Sequence, residues 1–233
     1  MSPSSRVYRP SLRSVLLTNI LLLLAACSPR ADATPTAPPP GATEAPASGA
    51  LAEGQIRLVV APEGSAARYL VTEQLVRLDL PSDAVGATTD VTGELVINAD
   101  GTIVSDASHF SVDLRTLTSD SSRRDGFIKS NVLNTNTYPT ADFVPTEVIG
   151  LPSPLPTSGP VSFQLLGDLT VHGVTKPVTW DVVTEVSDNA LTGTAKTSFT
   201  FADFGLTQPR VPVVLSVDDT IRLELDLHLV AEQ

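Results

Sequence analysis

Residues Ser105–Val148 read SDASHFSVDLRTLTSDSSRRDGFIKSNVLNTNTYPTADFVPTEV, and the fold turns on this stretch. Phe110, Val112 and Leu114 alternate with Ser111, Asp113 and Arg115, the period of a half-buried strand. After a serine-rich turn, Arg123 to Leu133 sets Phe127, Ile128 and Leu133 among Arg123, Arg124, Asp125 and Lys129, which predicts a short helix lying on a protein surface. Tyr138-Pro139 ends it, because the residue before a proline is driven to extended geometry, and a further strand is expected over Ala141 to Val148.

Outward from this stretch, two-residue alternation recurs. Val161 to His172 puts Val161, Phe163, Leu165, Gly167, Leu169 and Val171 on one face. Val178 to Val186 does the same with Val178, Trp180, Val182 and Val186, and Gly173 to Pro177 is read as the turn between the two. Leu191 to Phe201 places Leu191, Ala195, Phe199 and Phe201 together; Ile221 to Val230 places Ile221, Leu223, Leu225, Leu227 and Leu229 together. Upstream, Val91 to Asn98 is a strand followed by the turn Ala99-Asp100-Gly101, and Ala67 to Leu80 is read as the first strand. One dry and one wet face throughout predicts an all-β, antiparallel sheet around an apolar interior. About eight such strands close into a barrel with room for a small ligand, although the same periodicity fits a filled two-sheet sandwich.

The order strand, short basic helix, Tyr-Pro, aromatic strand resembles the YceI-like family. Gly167 to Trp180 (GDLTVHGVTKPVTW) and Phe201-Ala202-Asp203-Phe204-Gly205, with the closing strand Asp219 to Leu229, resemble it too. The resemblance implies a lipocalin-like barrel with a short helix between strands, holding an isoprenoid or other amphiphilic lipid in its lumen. The residues expected to line that lumen are Phe110, Val112, Phe143, Phe163, Leu165, Leu169, Val171, Trp180, Val182, Phe199, Phe201, Leu223 and Leu225, with Phe127 and Ile128 on a lid helix. The rival expectation is a filled barrel that presents its loops to an envelope partner.

The chain begins with Arg6, Arg9 and Arg13 before the apolar run Val15 to Leu24, the pattern of a cleaved signal segment over 1–26. Leu24-Ala25-Ala26 leads into Cys27, the single cysteine, which matches a bacterial lipobox and predicts an acylated, membrane-anchored, extracytoplasmic protein. Residues 27–54 are expected to be a Pro- and Ala-rich disordered tether, and 55–233 the barrel domain. Removal of the signal's three arginines takes the formal charge from −11 to −14, so nucleic-acid binding is not expected. The sequence leaves oligomeric state open, a homodimer being one option.

His109, His172 and His228 lack metal-ligand spacing, and no nucleophile elbow or phosphate loop is present, so neither enzyme activity, metal nor cofactor is expected. Asp113, Arg115, Arg124, Asp125 and Lys129 form the densest charged cluster and are read as ion pairs pinning the helix to the barrel.

Overall fold

The computed structural model describes residues 51–76, 79–187 and 189–232. The expected signal segment, Cys27 and the tether up to residue 50 lie outside the described residues. The strands are β1 (Gln55–Val60), β2 (Ala66–Leu75), β3 (Ser82–Thr88), β4 (Val91–Asn98), β5 (His109–Asp113), β6 (Thr140–Ile149), β7 (Gly159–Val171), β8 (Val174–Ser187), β9 (Ala190–Thr200) and β10 (Val214–Glu232). Between β5 and β6 runs helix α1 (Ser122–Phe127), which continues as one wide π turn over Ile128–Val132.

Every pairing is antiparallel, in the order β1-β4-β5-β6-β7-β8-β9-β10-β2-β3, and β1 also pairs with β10. That last pairing closes the sheet. The ten strands occupy eight positions, because β1 and β2 follow one another along the same edge of β10: Arg57 faces Glu232 and Leu75 faces Val214. On their other side β4 and β3 follow in the same way. The barrel therefore has a mouth, where α1 links β5 to β6, and a base, where β1 begins beside Asn98 and β10 ends.

Alternation produces the interior. Along β7, Val161, Leu165, Leu169 and Val171 are buried while Ser162, Gln164 and Asp168 are more open to solvent; along β8, Trp180, Val182 and Thr184 are buried while Asp181 and Val183 are exposed. Two glycines answer to inward aromatics rather than to turns. A Cβ on Gly86 would lie 2.2 Å from the Tyr69 ring across the β2–β3 pair, and one on Gly167 would lie 2.6 Å from the Phe143 ring. Each ring thus lies over the backbone of a neighbouring strand.

Several boundaries differ from the sequence reading. β2 ends at Leu75 rather than Leu80, and it is not the first strand: β1 precedes it, and β3 lies between it and β4. Leu114 has left β5 for a 3-10 turn, where it is buried. The turn after β7 is His172-Gly173 alone, both at positive φ (53° and 74°), so the stretch read as turn up to Pro177 belongs to β8. Two left-handed residues match the twist of the flanking strands and make a longer loop unnecessary. β10 starts well before Ile221. Asp100-Gly101 does turn the chain, with Asn98 N–H bonded to the Thr102 carbonyl at 2.9 Å, but the return is a single bridge, Ile97 to Ile103.

Candidate functional site

The inward faces of the strands do not meet in the middle of the mouth half. They enclose a chamber of about 1220 Å³, open mouth included, lined by aliphatic and aromatic side chains and by Arg68. Of the residues expected at the lumen, Phe110, Val112, Phe143, Leu165, Leu169 and Val171 line it from β5, β6 and β7. Trp180, Phe199, Phe201, Leu223 and Leu225 line it from the far side. Ile128 closes over it from the π turn; Phe127 packs on the core beside it without forming the lining. The other two are placed elsewhere. Phe163 lines a second cavity at the base, and Val182, only 2% exposed, lines neither.

Sequence reasoning left out Ala67, Tyr69 and Val71 on β2, a segment it read as a strand without assigning an inward face. It also left out Leu117, Val132, Leu133 and Leu206, which come from the lid and loops, where no period marks an inward residue.

Polar groups gather where the lid meets the barrel. Glu73 shares the inward face of β2 with Tyr69 and Val71 and is 8% exposed. Its carboxylate accepts from Arg124 Nη2 at 3.0 Å, and Arg124 also pairs with Asp120 in the preceding turn. Ser121 caps α1 by accepting the Arg124 N–H, and the Ser119 hydroxyl donates to Asp125 at 2.6 Å. Burial of the Tyr69 phenol pushes its pKa up to about 12, with Arg124 opposing and Asp125 and Glu73 adding to the rise. Asp113 and Arg115 make a local pair of their own at 2.6 Å, and the Arg115 hydrogen bond holds the Asp113 carboxyl below the ordinary carboxylate range. The charged cluster thus divides in two: Arg124 joins helix to barrel through Glu73, while Asp113 pairs with its neighbour Arg115 and feels the charge of Lys129 on the π turn.

Trp180 is the single tryptophan of the chain. Its Nε1 is buried without a hydrogen-bond partner, and its ring meets Phe143 edge-on at 6.0 Å and 69°.

The histidines stay apart. His228 Nδ1 lies 2.8 Å from the Glu63 carbonyl, and His172 meets the Tyr138 ring at the mouth. On the outer face His109 Nε2 is 3.3 Å from Asp142, which also accepts from Ser111 at 2.7 Å and Thr140 at 2.7 Å. Serine and histidine both turn to the aspartate, so the histidine does not stand between serine and aspartate as it does in a hydrolytic triad. Among the described residues no group of three or more His, Cys, Asp or Glu could hold a metal ion.

The family model of the YceI-like domain matches residues 59–229, from within β1 to within β10. The chain belongs to the YceI-like domain family. Two relatives, UPF0312 proteins of Pseudomonas putida strains F1 and KT2440, are each 44% identical over 78 residues, 32% of this chain. The aligned stretch spans 37% of each relative's own length. A polyisoprenoid binding domain from Saccharophagus degradans superposes with a TM-score of 0.57 at 14% identity, covering 76% of this chain and 98% of that one. Burkholderia cenocepacia BcnA gives 0.54 at 16%, covering 74% and 99%. Campylobacter jejuni YCEI protein gives 0.52 at 14%, covering 69% and 91%. At these identities what this YceI-like chain shares with the solved structures is the fold.

Proposed function

We propose that this chain is a membrane-anchored, extracytoplasmic lipid-binding protein that holds a long apolar or amphiphilic molecule, isoprenoid- or quinone-like, in the mouth chamber. The observation that carries the reading is that chamber, lined almost wholly by apolar side chains. Empty, such a lining exposes hydrocarbon to water; a chain molecule filling it removes apolar area at about 25 cal/mol per Å². The Saccharophagus degradans protein of the same fold is a polyisoprenoid binding domain, which supports the choice of ligand class. Tyr69, beside the Arg124–Glu73 pair, supplies a neutral hydroxyl at the lid, where a ligand's polar end would sit. Anchoring rests on Cys27 behind Leu24-Ala25-Ala26.

Trp180 reports on the reading directly, since no other tryptophan contributes to emission. Titration of delipidated protein with geranylgeraniol or a ubiquinone is expected to shift or quench Trp180 fluorescence in a saturable way. No change, together with no amphiphile in an organic extract of natively purified protein, would overturn it. Metabolic labelling with a fatty acid, present on the natural chain and absent on Cys27→Ala, tests the anchor.

A further inference from the structure

The lumen holds two chambers. The second lies at the base, about 900 Å³ with its opening, and none of its lining residues is shared with the mouth chamber. The row of paired residues Phe163–Val182–Ala195–Leu225 shows the division: Phe163 opens on the base chamber, Ala195 and Leu225 on the mouth chamber, and Val182 on neither. Leu229, 3% exposed, and the fully buried Pro145 likewise line neither. These side chains form a waist between the two cavities.

The base chamber differs chemically from its neighbour. The mouth chamber is walled by Tyr69, Phe110, Phe143, Trp180, Phe199 and Phe201, whereas Phe163 is the single aromatic at the base among the described residues and the remaining wall is chiefly aliphatic, as with Ile56, Leu95 and Leu191. Among the described residues, no charged residue lines it. Two of its polar groups are already engaged: the Thr184 hydroxyl donates to the Val161 carbonyl at 3.2 Å and the Ser187 hydroxyl to the Ala190 carbonyl at 3.2 Å. Asn189 and Thr157 are the further polar side chains of the lining. An ionised headgroup would meet no countercharge among these described residues, and the acidic chain, −11 overall, disfavours an anionic one.

We infer that the base chamber is a second binding site, for one uncharged single-chain lipid such as a fatty alcohol or monoacylglycerol, with its alkyl tail among the aliphatic side chains and its hydroxyl at Asn189 and Thr157. The chain enters the fold at this end, where Gln55 pairs with Asn98 and Ile56 lines the chamber. The site is independent of what the mouth chamber holds.

Photolabelling the delipidated full chain with a diazirine-bearing dodecanol tests this, read as cross-linked peptides by mass spectrometry. Labelling of residues 148–163 and 184–191 is expected to saturate at one probe per chain, to persist under saturating geranylgeraniol, and to be equal in Cys27→Ala, which has no acyl group of its own to compete. Leu191→Trp, which fills the chamber, is expected to weaken that labelling by about tenfold or more, with geranylgeraniol binding unchanged. Labelling confined to mouth residues, or base labelling displaced in step with geranylgeraniol uptake, would overturn the second site whether or not Leu191→Trp folds. Failure of geranylgeraniol to bind at all would count against the mouth-chamber reading alone.

Discussion

The Arg124 guanidinium lies 3.0 Å from the Glu73 carboxylate and joins the lid helix to the inward face of β2. The Glu73 side chain is 10% exposed and that of Arg124 23%, so the pair is largely out of water, and removing one member strands the other. Arg124→Ala is expected to cost about 1 to 3 kcal/mol in urea unfolding, and Glu73→Gln in the same chain is expected to recover part of the loss. Fully exposed pairs, by contrast, are worth about 0 to 1 kcal/mol each. A single mutant indistinguishable from the parent would return Arg124 to that class.

Phe127 stands half-buried against the core at the end of α1. Phe127→Asp places a carboxylate where hydrocarbon packs, and a loss of about 2 to 4 kcal/mol is expected. Ligand should also escape faster, because Ile128, the next residue, covers the mouth chamber. Stopped-flow transfer of a fluorescent isoprenoid to vesicles measures the second effect, and an unchanged rate would remove the lid from the retention mechanism.

Tyr69 ionises late. Its pKa is pushed up to about 12 against an ordinary 10, chiefly by burial. Folding therefore favours the neutral phenol: between pH 10 and pH 12 the unfolded chain releases this proton and the folded chain keeps it. Stability contributed by Tyr69 should be complete below pH 10 and decline as pH rises towards 12. Absorbance titration at alkaline pH should show a delayed tyrosine that is missing in Tyr69→Phe; a titration unchanged by that substitution at its alkaline end would contradict the burial.

Gly86→Ala tests the close approach of the Tyr69 ring. The added methyl meets that ring at 2.2 Å, and a loss of about 1 to 3 kcal/mol is expected. Tyr69→Ala in the same chain should then cost less than it does alone. Strict additivity in thermal melts would show that the two residues do not share the space.

Strands β7 to β10 were legible because each has one wet and one dry face, which is what period two encodes. β1 was not, since Arg57 is itself buried and held by Glu94 at 3.0 Å, so Gln55–Val60 never alternates cleanly in exposure. β3 reads SDAVGAT, small residues that leave room for Tyr69 and give no apolar rhythm. Most of the mouth chamber followed from knowing the inward faces. The waist did not, because Phe163 and Val182 are both inward and differ only in how far along a tilted row they sit. That depends on strand register, which arises between strands and is written in neither.

The pairing of β1 with β10 has a kinetic consequence. Arg57 lies near the start of the described fold and its partner Glu232 at the far end of it, so closure brings together segments made early and late in the domain's synthesis. Until β10 emerges, β1 and β2 lack the strand they share, and the apolar faces of β7 to β9 have no finished interior. Such long-range pairing places this domain among slow folders. The open barrel is then the species that a holding chaperone would meet, and closure is the step at which its demand for one ends.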